Sequence, residues 1–140
     1  MFMSDSVLAP WAPRVLSVLR IVVALLYLQH GLTKFFGFPG PAPASMPFFP
    51  VIVAGLIETI GSTLLLIGLF TRPAAFIMSG EMAIAYWYAH FPRNLFPYNN
   101  GGSLAVLYCF VFLYIFFAGP GPWSVDAARG TKSRRLGITR

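Results

Sequence analysis

Arg20, Tyr27, His30, Lys34, Glu58 and Glu81 are the side chains of this 140-residue sequence best placed to do chemistry, because each lies within or at the edge of a long apolar stretch. An ion taken out of water loses several kcal/mol of solvation unless a partner or a proton compensates it, so such groups are expected to face one another. Arg, Lys, His and Tyr around an otherwise apolar pocket can hydrogen-bond the carbonyl oxygens of a quinone, while aromatic neighbours cover its ring. His30 and Glu58 can in addition pass a proton. Paired only with one another, the same groups would simply hold helices in register. A metal site from His30, Glu58 and Glu81 is not expected, since no H-x-x-x-H or E-x-x-H spacing supports it. The single cysteine, Cys109, excludes dithiol chemistry within one copy. The sequence holds no self-contained catalytic motif.

The elements that must position these groups are apolar runs close to the length of about twenty residues that a helix needs to cross a bilayer. Four such runs are found, at 15–36, 50–70, 74–91 and 102–118. Breakers separate them: five prolines in 37–50, the Thr71-Arg72-Pro73 turn, the polar stretch 92–102, and the glycine and proline run 119–122. The expected fold class is all-α, an integral membrane four-helix bundle over 15–118. An N-terminal segment, 1–14, precedes it and a basic tail, 119–140, follows. In the tail, Ser124 is expected to cap a short amphipathic turn over 125–129 that Gly130 ends, laying Trp123 on the membrane surface.

Helical geometry then assigns faces. At about 100° per residue, Arg20, Ala24, Tyr27, Gly31 and Lys34 share one stripe, with His30 just off its edge and Gln29 opposite. Glu58 shares a face with Ala54, Gly55, Gly61 and Ser62, and Glu81 with Ala74, Met78, Ala85 and Tyr88, while His90 points away. Counting depth along each helix predicts two buried clusters. One joins Arg20 to Glu81, and the other joins Glu58 to His30 and a descending Lys34, with Tyr27 and Tyr88 on the same faces as further hydrogen-bonding groups. The heptad recurrence of Ala54, Gly61 and Gly68 predicts close helix packing. The uncharged fourth run, with Tyr108, Phe110, Phe112, Tyr114, Phe116 and Phe117, is expected to face lipid along most of its surface.

A hydrophobic fraction of 57% with only 10% charged residues lies far from the averages of soluble domains. Most of the net charge of +6 falls outside the apolar runs, which argues against a nucleic-acid partner. Arg14, Arg72, Arg129, Lys132, Arg134, Arg135 and Arg140 gather on one side of the expected membrane, against Lys34 and Arg93 on the other. The excess places both termini in the cytoplasm. Residues 1–13 lack the features of a cleaved secretory signal, so no cleavage is expected.

Several segments, taken in order, carry a family resemblance. They are Arg20 with His30-Gly31-Leu32-Thr33-Lys34; Gly55-Leu56-Ile57-Glu58 with Gly61, Gly68 and Thr71-Arg72; Met82-Ala83-Ile84-Ala85 with His90; and Gly119-Pro120-Gly121-Pro122-Trp123-Ser124-Val125-Asp126. From about residue 20 to 126 the chain resembles the DoxX family of small bacterial inner-membrane proteins. It departs from the family pattern at Ser103, where many relatives place an acidic residue after the paired glycines. The resemblance implies a four-helix inner-membrane fold and an association with quinone-linked oxidoreductases. The leading expectation is therefore a quinone-interacting or accessory subunit of a membrane redox complex, with quinone as its cofactor and other redox subunits as partners. Two further readings stay open: transport of a small solute or protons, for which a homodimer would supply missing walls, and a ligand-free structural or assembly partner.

Overall fold

The computed structural model describes residues 5–41 and 47–135. Pro43 of the proline-rich connection and Arg140 of the basic tail lie outside the described residues. Every regular element among those residues is helical. In order they are a short turn α1 (Asp5–Leu8), α2 (Ala12–Phe36), α3 (Phe48–Ile67), α4 (Thr71–Ala85), a π-helical turn Tyr86–His90, a 3-10 turn Phe91–Arg93, α5 (Pro97–Asn100), α6 (Ser103–Ala118) and α7 (Val125–Arg135). The four long helices pack side by side, α2 on α3, α3 on α4 and α4 on α6, with a looser seam where α6 meets α2.

The helix ends follow from local chemistry. Pro13 opens α2, where its missing N–H has no helical partner to lose and its φ is already helical. Gly68 ends α3 in the left-handed region, φ 69°, and its N–H bonds the carbonyls of Leu64 and Leu65. A Cβ at this position would also lie 2.3 Å from that of Ser124, so conformation and close approach both require glycine. Phe70, a non-glycine residue at φ 49°, precedes α4. The first N–H groups of α4 are met by a distant carboxylate: Asp126 accepts from Phe70 N at 3.1 Å and from Thr71 N at 2.9 Å. An anion at a helix N-terminus satisfies orphan donors and complements the helix dipole.

Two elements differ from what the sequence suggests. The third apolar run is α-helical only to Ala85 and then widens into the π-turn. Pro92 lies four residues beyond Tyr88, so it offers that carbonyl no N–H and its ring crowds it, which a wider turn relieves. The extra residue rotates the register, leaving Tyr88 68% exposed instead of on the Glu81 face. In the tail, the helix runs through Gly130 to Arg135, carried by Ala127, Ala128 and the long basic residues around it. It has no apolar stripe either: after Ala128 every residue is polar or glycine, so the amphipathic expectation is corrected. The fourth run turns Tyr108 and Phe112 inward, while Phe110, Tyr114 and Phe117 remain exposed.

Several polar side chains are buried beside an apolar core that includes Leu65, Met78 and Phe112, while many large apolar side chains are left exposed. Ser17, Arg20, Glu58, Ser62, Thr71 and Ser79 are buried, whereas Val15, Val22, Leu25, Ile60, Ile84 and Phe110 are exposed. The helices α2 and α3 are long and apolar enough to cross a membrane; α6 is equally apolar but spans 16 residues. Close approach of α2 to α3 and of α3 to α4 depends on small residues: a Cβ on Gly31 would lie 2.3 Å from Thr59 Oγ1, and one on Gly61 2.7 Å from Met78 Sδ. Of the heptad trio, Gly61 thus serves helix packing, while Gly68 serves the α3 terminus.

Replacing Asp126 by Ala removes both bonds to the start of α4 and is expected to cost about 1–2 kcal/mol. Thermal unfolding in mild detergent reads this directly, with Asp126→Asn falling between the variant and the parent. Unchanged midpoints would show that the carboxylate contributes nothing to the fold.

Candidate functional site

Arg20 is fully buried one-third of the way along α2, and all of its partners are backbone carbonyls. Its Nε donates to Pro120 O at 2.8 Å, one terminal nitrogen donates to Leu65 O and to Leu66 O at 2.9 Å, and the other donates to Trp123 O. Leu65 and Leu66 lie in the last turn of α3, where carbonyls run out of helical donors. Five N–H groups in a fixed planar fork make arginine suited to gathering such acceptors. The guanidinium therefore joins α2, the end of α3 and the 120–123 segment at one point. Ser17, one turn earlier, adds to the joint by accepting from Trp123 N at 3.2 Å.

A second group of polar residues lies further along α2. Lys34 Nζ stands 2.6 and 2.5 Å from the two Glu58 oxygens, with the pair almost wholly buried. Tyr27 Oη donates to Glu81 Oε2 at 2.9 Å. Glu81 is within electrostatic reach of both Glu58 and Lys34, which makes these residues one cluster. The Tyr27 ring packs edge-on against Tyr108 and Phe112 of α6, at 5.0 and 4.9 Å between centroids. His30 sits at the rim: its ring is 5.7 Å from Tyr27 and 5.9 Å from Tyr108, yet its side chain is exposed. Its Nδ1 faces Leu26 O at 3.3 Å, which leaves Nε2 directed elsewhere.

The structure thus brings Tyr27, His30, Lys34, Glu58 and Glu81 together and separates Arg20 and Tyr88 from them. The expected pairing of Arg20 with Glu81 does not form, for two reasons. Side chains on a helix lean toward its N-terminus, so Arg20 reaches back toward the chain termini. In addition, α4 starts at Thr71 and not at 74, which sets Glu81 ten residues, about 15 Å, along its helix and level with the Tyr27 hydroxyl. The Lys34–Glu58 contact forms as the spacing suggests. His90 turns to the carbonyl of Asn100, 3.1 Å from its Nδ1.

Two anchoring roles escape sequence reading. Asp126 caps a helix that starts 55 residues before it, and Arg72 donates to Phe116 O and to Phe117 O at 2.8 Å, closing the end of α6. Locally, Asp126 reads as a first-turn acid of α7 and Arg72 as an orienting surface charge; only the tertiary fold supplies their acceptors and donors. Among the described residues, no group of three or more His, Cys, Asp or Glu side chains is arranged to hold a metal. Two grooves, of about 210 Å³ between α3 and α4 and about 360 Å³ beside the start of α2, are lined almost wholly by apolar side chains, and none of the cluster residues lines either.

Over the described residues the protein is all-helical, with a few buried ionic and hydroxyl groups set into an apolar core and large apolar side chains turned outward. The DoxX family model matches residues 15–91, more than half of the chain, and the chain belongs to the DoxX family. An uncharacterized protein of Haemophilus influenzae is 46% identical, over 85% of this chain and 93% of its own. The inner membrane protein YphA of Escherichia coli is 30% identical, over 81% of this chain and 89% of its own. No solved structure matches the chain.

Because Arg20 is held by carbonyls and not by Glu81, a double-mutant cycle between the two is expected to show coupling below about 0.5 kcal/mol, while Lys34 and Glu58 couple by about 1–3 kcal/mol. Arg20→Ala alone is expected to destabilise by about 3–5 kcal/mol, with Arg20→Lys as the milder variant where the first does not fold. Denaturation in detergent micelles measures all of these. Strong coupling of Arg20 to Glu81 would reinstate the pairing that the geometry rejects.

Proposed function

We propose that this DoxX family member is a multi-pass protein of the bacterial inner membrane, crossing it with α2, α3, α4 and its π-helical extension, and α6, with both termini in the cytoplasm. The exposed apolar surface of all four helices supports this, since in water it would associate. The length of α2 and α3 supports it as well, and so does the similarity to an inner membrane protein. The basic residues Arg14, Arg72 and Arg129, with the tail that follows them, favour the cytoplasm for the end that carries the termini.

Within that frame, the chain serves as an accessory subunit of a membrane redox complex that presents its polar cluster to a quinone head group. One observation carries this reading. The carboxylates of Glu58 and Glu81 are each held by a donor on α2, Lys34 and Tyr27, while the His30 imidazole beside them stays exposed against Tyr27 and Tyr108. A quinone carbonyl needs such a donor at membrane depth, and its ring needs such an aromatic neighbour. A ligand-free structural role has its own support in Arg20, whose bonds all serve helix ends.

Gentle extraction followed by quantification of bound quinone tests the proposal. Quinone is expected to co-purify with the parent chain, with occupancy falling by about fivefold or more in His30→Ala, the loss of one hydrogen bond, while Tyr88→Phe leaves it unchanged. If neither quinone nor a redox subunit accompanies the protein, the redox reading fails.

A further inference from the structure

The wider of the two grooves lies at the looser seam of the bundle, where the start of α2 passes α6. Its volume is about 360 Å³, and it is lined by Leu8, Trp11, Ala12, Val15, Leu16 and Leu19 together with Tyr114 of α6. Apart from the Tyr114 hydroxyl and the Trp11 indole N–H, these side chains offer nothing to a polar solute. The volume falls within the range of small-ligand sites, and the apolar lining suits a hydrocarbon chain. The rim is not neutral: the Arg14 guanidinium is held over the Trp11 ring, 5.1 Å from its centroid, so a cation is fixed at the mouth of an apolar trough. Arg72 and Arg129 are exposed at the same end of the bundle. An apolar trough with a cation at its mouth is complementary to one kind of amphiphile, an acyl chain ending in a phosphate.

We propose that this groove binds one anionic phospholipid of the cytoplasmic leaflet, with an acyl chain along Val15, Leu16 and Leu19 and its phosphate on the Arg14 guanidinium. The proposal rests on the membrane-spanning orientation argued above. It is independent of the quinone reading, because none of the cluster residues lines the groove. Tyr114 and Trp11 suit the site as interfacial side chains with one polar atom each, able to face the glycerol region while their rings close over the chain.

Trp11 makes the site directly readable. With Trp87→Phe and Trp123→Phe, the only indole left lines the groove. This single-tryptophan chain is reconstituted in phosphatidylcholine vesicles holding a minor fraction of lipid brominated on its acyl chains, either phosphatidylglycerol or phosphatidylcholine. Quenching of Trp11 by the brominated anionic lipid is expected to exceed that by the brominated zwitterionic lipid by about fivefold in effective local concentration, the preference that one fixed cation gives an anionic head group. Arg14→Gln should abolish the preference, Ala12→Phe should lower quenching by filling the trough, and Arg129→Gln should leave both unchanged. Equal quenching by the two lipids would overturn the site, as would a preference that survives Arg14→Gln or disappears with Arg129→Gln. Absence of quenching by either lipid would instead overturn the membrane-spanning reading itself.

Discussion

A buried guanidinium that answers only to backbone carbonyls governs how this chain closes. Among the described residues Arg20 forms no direct salt bridge, and the Asp126 carboxylate acts on it only through space; its N–H groups go to the carbonyls of Leu65, Leu66, Pro120 and Trp123. Those groups come from the end of α3 and from the segment after α6, so a single side chain on α2 fixes the relative placement of three parts of the chain. Asp126 extends the joint to the start of α4, and Arg72 extends it to the end of α6. Helix ends carry unpaired N–H and C=O groups that water would ordinarily satisfy. In surroundings without water each of them needs a partner from the protein, and at this end of the bundle long side chains supply several.

The opposite half of α2 is built differently. There the ions meet one another, Lys34 with Glu58, and the Tyr27 hydroxyl holds the second carboxylate, Glu81. The contrast separates a joint in which four of five N–H groups are taken by backbone carbonyls from a cluster with an imidazole at its rim. Arg20 is fully buried among its carbonyl acceptors, whereas His30 is exposed and keeps one ring nitrogen free of the Leu26 carbonyl that its neighbour faces. For this reason a ligand-related role falls to the His30 side of the molecule and a fold-holding role to the Arg20 side. The aromatic rim of the cluster, Tyr27 and His30 against Tyr108, and the groove near Trp11 both lie where α2 meets α6, a looser seam than those of α2 with α3 and of α4 with α6.

Much of this was readable from residue order. The stripe of Arg20, Ala24, Tyr27 and Gly31 is the buried face of α2, and Glu58 lies with Gly55, Gly61 and Ser62 on the buried face of α3, because helical periodicity is a local property. The Lys34–Glu58 contact was also within reach, since a long side chain near a helix end has few directions to take. What escaped depends on helix ends and register. Beginning α4 at Thr71 raises Glu81 to the level of Tyr27, and the π-turn ahead of Pro92 turns Tyr88 outward. Neither shift leaves a mark in an apolar pattern that looks uniform from 74 to 91. The partners of Arg20, Arg72 and Asp126 were hidden for another reason: two of these side chains seek only carbonyls and the third only N–H groups, which every residue type displays, so no complementary charge in the sequence points to them.

The inward turn of polar groups is tested most directly by the lipid exposure of α2, residue by residue. In a Cys109→Ser background, single spin-labelled cysteines along 15–27 in bilayers report collision with oxygen, which concentrates in lipid, and with a water-soluble nickel chelate. Oxygen accessibility is expected to rise and fall with helical period, with maxima at Val15, Val18, Val22 and Leu25 and minima at Ser17 and Ala24, and with little access for the chelate at any of these sites. Maxima at Ser17 and Ala24, or chelate access around the whole helix, would contradict a bundle whose ions face inward and whose apolar side chains face lipid.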